Sequence, residues 1–128
     1  METKILIAED EDNIRKLISS YLTKEGFTVI DARDGEEALQ KFESNYDISL
    51  VILDIMMPKI DGYEVCKNIR KDSEVPILML TAKDTEYDEL TGFNSGADEY
   101  ISKPFSPRIL VTRVKNLLKR TSMNSMQD

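Results

Sequence analysis

Residues 50–62 read LVILDIMMPKIDG, and their reading decides the fold. Leu50, Val51, Ile52 and Leu53 form an unbroken apolar run. It is far too short to cross a membrane, and its β-branched residues suit a strand buried on both faces. The run stops at a carboxylate, Asp54. Pro58 and then Asp61-Gly62 bring turn chemistry. Asp54 therefore stands where a central strand runs out into a loop, the edge at which open α/β sheets bind ligands. One acid at a strand end is the ordinary state of a solvated loop, so its meaning depends on what else reaches that edge.

Upstream, residues 4–8 (KILIA) form another apolar strand, ending in Glu9-Asp10-Glu11-Asp12. Helical spacing follows over 13–24. Ile14, Leu17, Ile18, Tyr21 and Leu22 make one face, with Arg15, Lys16 and Lys24 off it. Asp12 or Asn13 is placed to cap this helix, and Gly26 to end it. Residues 27–32 read as a short strand, Asp34-Gly35 as a turn, and 36–44 as a helix with Ala38, Leu39 and Phe42 inward. The central strand spans 48–54.

Downstream, residues 63–71 are helical along Val65, Cys66 and Ile69, which makes Cys66 a small core residue. Residues 76–80 (PILML) form a buried strand ending at Thr81-Ala82. A weaker helix covers 84–94, with Leu90 and Phe93 apolar, and Gly96 closes it. A very short strand, 99–101, ends at Ser102-Lys103-Pro104. Pro107 opens a last helix that runs to about residue 120 along Ile109, Leu110, Val114, Leu117 and Leu118. Residues 121–128 lose the periodicity and read as a frayed tail or the start of a linker. The domain is therefore residues 1–120.

Five strands alternating with helices imply a parallel, doubly wound α/β sheet with right-handed crossovers. The order 2-1-3-4-5, flavodoxin-like, suits this length. Composition narrows the chemistry. The single cysteine forbids an intrachain disulfide and fits a reducing cytoplasm. The absence of histidine excludes His-based triads, His zinc sites and a phosphohistidine within the chain. A net charge of −7 argues against nucleic-acid contact by this segment. No apolar run is long enough for a membrane span.

In a parallel sheet, strands 1, 3, 4 and 5 end at one edge. That edge collects Glu9, Asp10, Asp54, Thr81 and Lys103. Strands 1 and 3 are neighbours, so three carboxylates crowd together and raise one another's pKa. A hard divalent cation such as Mg²⁺ relieves this, held by carboxylates and a backbone carbonyl, with Met56 the nearest candidate. Asp54 then has the character of a nucleophile toward phosphorus, with Lys103 and Thr81 available to phosphoryl oxygens.

These residues carry a resemblance. Glu9-Asp10, Asp54 within LDIMMPKIDG, Thr81-Ala82, Gly96-Ala97-Asp98, Tyr100 and Lys103-Pro104-Phe105 resemble the receiver domain of two-component response regulators, over nearly the whole chain. GADEYISKPFSP with the following RV and LLKR is most similar to the OmpR/PhoB-like subfamily. The resemblance implies that Asp54 accepts a phosphoryl group from a sensor histidine kinase with Mg²⁺. It implies a cis Lys103–Pro104 bond and a switch in which Thr81 moves toward the phosphoryl group and Tyr100 turns inward. It also implies homodimerisation through the helix over 84–94, the fifth strand and the last helix. Leu90 and Phe93 would lie in the apolar patch, and Glu99 would pair across the dimer with Arg113. The resemblance further implies a transcription-regulating, DNA-binding output in a longer protein. Leu17 and Tyr21 are candidates for kinase docking. Rival readings are a single-domain relay protein, a receiver-like module that is never phosphorylated, a flavin-binding module, and an aspartyl phosphatase. EDED after the first strand repels a flavin phosphate, and Met56 stands where such a phosphatase has its second acid.

Overall fold

The computed structural model describes residues 2–82 and 96–127, with no side chains described for 122–127. The expected helix over 84–94, with Leu90 and Phe93, lies outside the described residues. The elements in order are β1 (Lys4–Ala8), α1 (Asp12–Lys24), β2 (Thr28–Ala32), α2 (Gly35–Ser44), β3 (Ile48–Asp54), α3 (Gly62–Arg70), β4 (Ile77–Thr81), β5 (Glu99–Ser102) and α4 (Pro107–Gln127). The strands form one sheet in the order β2-β1-β3-β4-β5, and every neighbouring pair is parallel. The expected order is therefore the observed one.

The period of two along each strand divides the core into two layers. Leu6, Ala8, Val51, Leu53, Ile77 and Met79 face Ala38, Val65, Cys66 and Ile69 from α2 and α3. Ile5, Ile7, Leu50, Ile52, Leu78 and Leu80 face Ile18, Leu22, Leu110, Val114 and Leu117 from α1 and α4. A strand covered on both sides has no wet face, which is why these segments read as continuous apolar runs. Each large side chain so buried contributes about 1.5–3 kcal/mol. Pro76 stays outside β4 and offers only its carbonyl, which accepts from the Val51 N–H at 2.9 Å. Among the described residues, no helix is long and apolar enough to cross a membrane.

Several local expectations are corrected. Asp34-Gly35 is not a free-standing turn. Asp34 caps α2 by accepting from the Glu37 N–H at 2.8 Å, and Gly35 is the first helical residue. Asp61 caps α3 in the same way, from the Glu64 N–H at 2.9 Å. Neither Asp12 nor Asn13 caps α1. Glu11 takes that position with no side-chain cap, and the Asp12 carboxylate is held by Arg15 instead. Arg15, expected off the buried face, is only 6 % exposed. The last helix extends past residue 120, to Gln127. Residues 121–127 (TSMNSMQ) contain neither Gly nor Pro to stop it.

Candidate functional site

Because all strands run the same way, β1, β3, β4 and β5 deliver their C-terminal ends to one edge. Asp54 is the last residue of β3, and Glu9-Asp10 follow directly on β1. The register sets Ala8 beside Leu53, so the acids of the two strands emerge together. One carboxylate oxygen from each of Glu9, Asp10 and Asp54 lies within 4.8 Å of the others. Glu9 and Asp54 are buried and Asp10 is exposed, which gives the cluster a dry floor and a wet mouth.

Lys103 completes the floor. Its Nζ stands 2.8 Å from Glu9 Oε1 and 3.1 Å from Asp54 Oδ1. Pairing of β4 with β5 brings it there. Thr81 is in register with Ser102, the Lys103 N–H donates to the Thr81 carbonyl at 2.6 Å, and the Lys103–Pro104 bond is cis as expected. Thr81 itself is buried at the end of β4. The structure thus brings Glu9, Asp10, Asp54, Thr81 and Lys103 to one edge.

Electrostatics follow from this crowding. Burial removes the Asp54 carboxylate from water, and the neighbouring Glu9 charge adds to the effect, so its pKa rises to about 7 against the pull of Lys103. Burial on its own would lower the Lys103 ammonium. The hydrogen bond to Glu9 and the charge of Asp54 outweigh burial and hold it above its usual value. Lys103 is shared between two acids and Asp10 has no part in that pairing, so the donor set remains acid-rich. Three carboxylates from hard oxygen donors fit a small divalent cation better than any soft metal.

The loop after Asp54 is anchored at close quarters. The Gly62 N–H donates to the Ile55 carbonyl at 2.9 Å. A Cβ at position 62 would stand 2.5 Å from the Asp54 carbonyl oxygen, so only glycine lets α3 start this close to the acid. Gly35 plays the same part further along, where a Cβ would be 2.0 Å from the Ile60 carbonyl oxygen. Met56 sits on this loop with its side chain largely exposed.

The outlying candidates behave differently. Tyr100 is half-buried and packs against the core layer beneath α2 and α3. Leu17 is exposed on α1, while Tyr21 is half-buried against the core. Glu99 has partners within its own chain. It is paired with Arg113 and with Arg120 at 3.3 Å, two residues that stand seven apart on one face of α4. Arg15 was missed by sequence reasoning. Its Nη1 donates to the Glu9 carbonyl at 2.8 Å, and the spacing of three from Asp12 was the available signal.

Comparison with known proteins agrees with this geometry. Residues 5–115 match the family described as response regulator receiver domain. Transcriptional regulatory protein ResD of Bacillus subtilis is 51% identical over 125 residues, covering 97% of this chain and 51% of ResD. The alkaline phosphatase synthesis transcriptional regulatory protein PhoP of the same organism is 49% identical, covering 96% of this chain and 51% of PhoP. The receiver domain of a Francisella response regulator superposes with a TM-score of 0.88 at 36% identity, covering 94% of this chain and 99% of that one. The chain spans about half the length of the curated relatives it matches. With the family match spanning most of the chain and the site's acids, threonine and lysine on one edge, the chain belongs to the receiver domains of two-component response regulators.

Proposed function

We propose that Asp54 takes a phosphoryl group from a phosphohistidine of a sensor kinase. The Asp54–phosphorus bond forms as the donor's phosphorus–nitrogen bond breaks, and the leaving imidazole keeps the electron pair. The observation that carries this reading is the buried pairing of Asp54 with Lys103 beside Glu9, with the exposed Asp10 at the same cluster's mouth. Glu9, Asp10, Asp54 and the Met56 carbonyl would hold Mg²⁺, which when bound offsets the charge of the acids and of the phosphoryl oxygens. Lys103 passes from the Asp54 carboxylate to a phosphoryl oxygen, so its charge is never left without a partner. Later attack of water on phosphorus returns the free carboxylate, and the domain thereby supports its own dephosphorylation.

The switch follows from the same contacts. A charge-assisted hydrogen bond from the Thr81 hydroxyl is worth roughly 1.5–3 kcal/mol. Full reversal of a two-state equilibrium takes about 5.5 kcal/mol. Thr81 therefore biases the change, and Lys103 must add to it, with Tyr100 turning further inward behind Thr81. The surface that carries β5 and α4 then forms a homodimer. In a longer cytoplasmic protein the output is control of transcription, as the names of the relatives suggest. Acetyl phosphate with Mg²⁺, followed by intact-mass measurement, tests the reading. One added phosphoryl group that is absent in Asp54→Asn supports it, and an unchanged mass in the wild type rejects it.

A further inference from the structure

Four polar or charged residues are buried among the described ones: Glu9, Arg15, Asp54 and Thr81. Three belong to the pocket already described. The fourth, Arg15, is the one buried cation among them, and no step above uses it. We infer that Arg15 is a positioning residue that fixes the Glu9 main chain, and through it sets the Glu9 and Asp10 carboxylates for a divalent cation. This rests on the Mg²⁺ reading of the pocket.

The geometry is that of a three-way clip. Arg15 Nη1 donates to the Glu9 carbonyl at 2.8 Å. Its Nη2 pairs with Asp12 in the first turn of α1, and its Nε lies 3.7 Å from Asp31 Oδ2 near the end of β2. The Glu9 N–H donates to the Ala32 carbonyl at 3.1 Å. Both polar groups of the Glu9 main chain are therefore held, one by β2 and one by the guanidinium. The Glu9 carboxylate is held as well, by the Glu11 N–H at 3.1 Å and Lys103 at 2.8 Å. A planar guanidinium presents its donors in a fixed fork, which a flexible ammonium cannot reproduce. Carbonyls and carboxylates around a metal site are commonly set by such outer contacts, and losing one weakens metal binding roughly 10–100-fold.

The sign of the effect separates positioning from charge. A cation beside the acid cluster repels a metal ion, so its removal alone would tighten Mg²⁺ binding. Positioning predicts the opposite. Mg²⁺ titration by calorimetry on the wild type, Arg15→Met and Arg15→Lys tests this, well below the thermal transition of each variant. The expected result is binding weakened about tenfold in both variants, with Arg15→Lys failing to rescue. Tighter binding in Arg15→Met with wild-type binding in Arg15→Lys would show that Arg15 acts only as a charge. Equal binding in all three would make it merely structural, and either outcome overturns the inference. If Arg15→Met does not fold, Arg15→Lys alone decides. A wild type that binds no Mg²⁺ rejects the pocket reading itself, and the inference with it.

Discussion

The Lys103 ammonium stands 3.1 Å from Asp54 Oδ1, so the proposed nucleophile is ion-paired inside the folded domain before any donor arrives. The same nitrogen is 2.8 Å from Glu9 Oε1. Two buried carboxylates thus share one cation, and the energetics of the pocket follow from that shortage.

Removing the cation exposes the shortage. Lys103→Met leaves Glu9 and Asp54 buried without a counter-charge. Breaking a fully buried pair costs about 3–5 kcal/mol, and because Lys103 is still in part exposed to water the expected loss is roughly 2–3 kcal/mol at neutral pH. Urea unfolding in the presence of a chelator checks it. The loss should shrink in acid, where the carboxylates take up protons. A loss independent of pH would show that packing, and not charge, is what Lys103 supplies.

The raised pKa of Asp54 gives a second pH signature. Its carboxyl is raised from 3.8 to about 7 in the fold. Between these values the native chain keeps a proton that the unfolded chain has released, so stability falls as pH rises through this window. Asp54→Asn has no such proton to lose. Without metal it should exceed the wild type by roughly 1–3 kcal/mol above the window, and the advantage should vanish toward its lower end. Chelated samples melted across the window report this directly. Parallel curves at every pH would contradict the burial account of Asp54.

The glycines that seat the loop are equally exposed to test. In Gly62→Ala the new Cβ meets the Asp54 carbonyl oxygen at 2.5 Å. Overpacking of this kind costs about 1–3 kcal/mol. Because the displaced atom belongs to Asp54 itself, phosphoryl uptake from acetyl phosphate should fall along with the unfolding midpoint. Normal uptake in a destabilised Gly62→Ala would mean that the loop, and not the acid, absorbs the shift.

Much of this was legible in the residues. Continuous apolar runs at 4–8, 50–53 and 77–80 announce strands covered on both faces, and their spacing by amphipathic segments leaves few topologies. Parallel direction then carries Glu9, Asp10, Asp54, Thr81 and Lys103 to one edge without any knowledge of side-chain geometry. Arg15 escaped because helical periodicity assigns a charged residue to solvent, whereas its burial depends on the Glu9 carbonyl just after β1 and an acid from β2. Glu99 lies within reach of Arg113 and Arg120 of its own chain. Whether it pairs within a chain or between chains depends on where α4 crosses β5, and that crossing is set by packing rather than by local spacing. The turns at Asp34 and Asp61 were right in residue and incomplete in role, since a cap and a turn begin with the same chemistry.

Glu99 gives a prediction of small size. Its pairs with Arg113 and Arg120 lie at the surface, where such contacts contribute about 0–1 kcal/mol. Glu99→Gln should therefore leave thermal stability nearly unchanged. It frees two guanidinium groups on the surface proposed for dimerisation, so sedimentation with beryllofluoride and Mg²⁺ should shift relative to the wild type. An identical sedimentation profile would separate this acid from self-association.

The central claim is that the phosphoryl group is carried by Asp54. Borohydride reduction after treatment with acetyl phosphate and Mg²⁺ converts an aspartyl phosphate to homoserine, which peptide mass mapping locates. The account predicts homoserine at position 54, and at neither Glu9 nor Asp10 any reduced product. Homoserine at another aspartate, or an unmodified residue 54 in protein that has gained the phosphoryl mass, would contradict it.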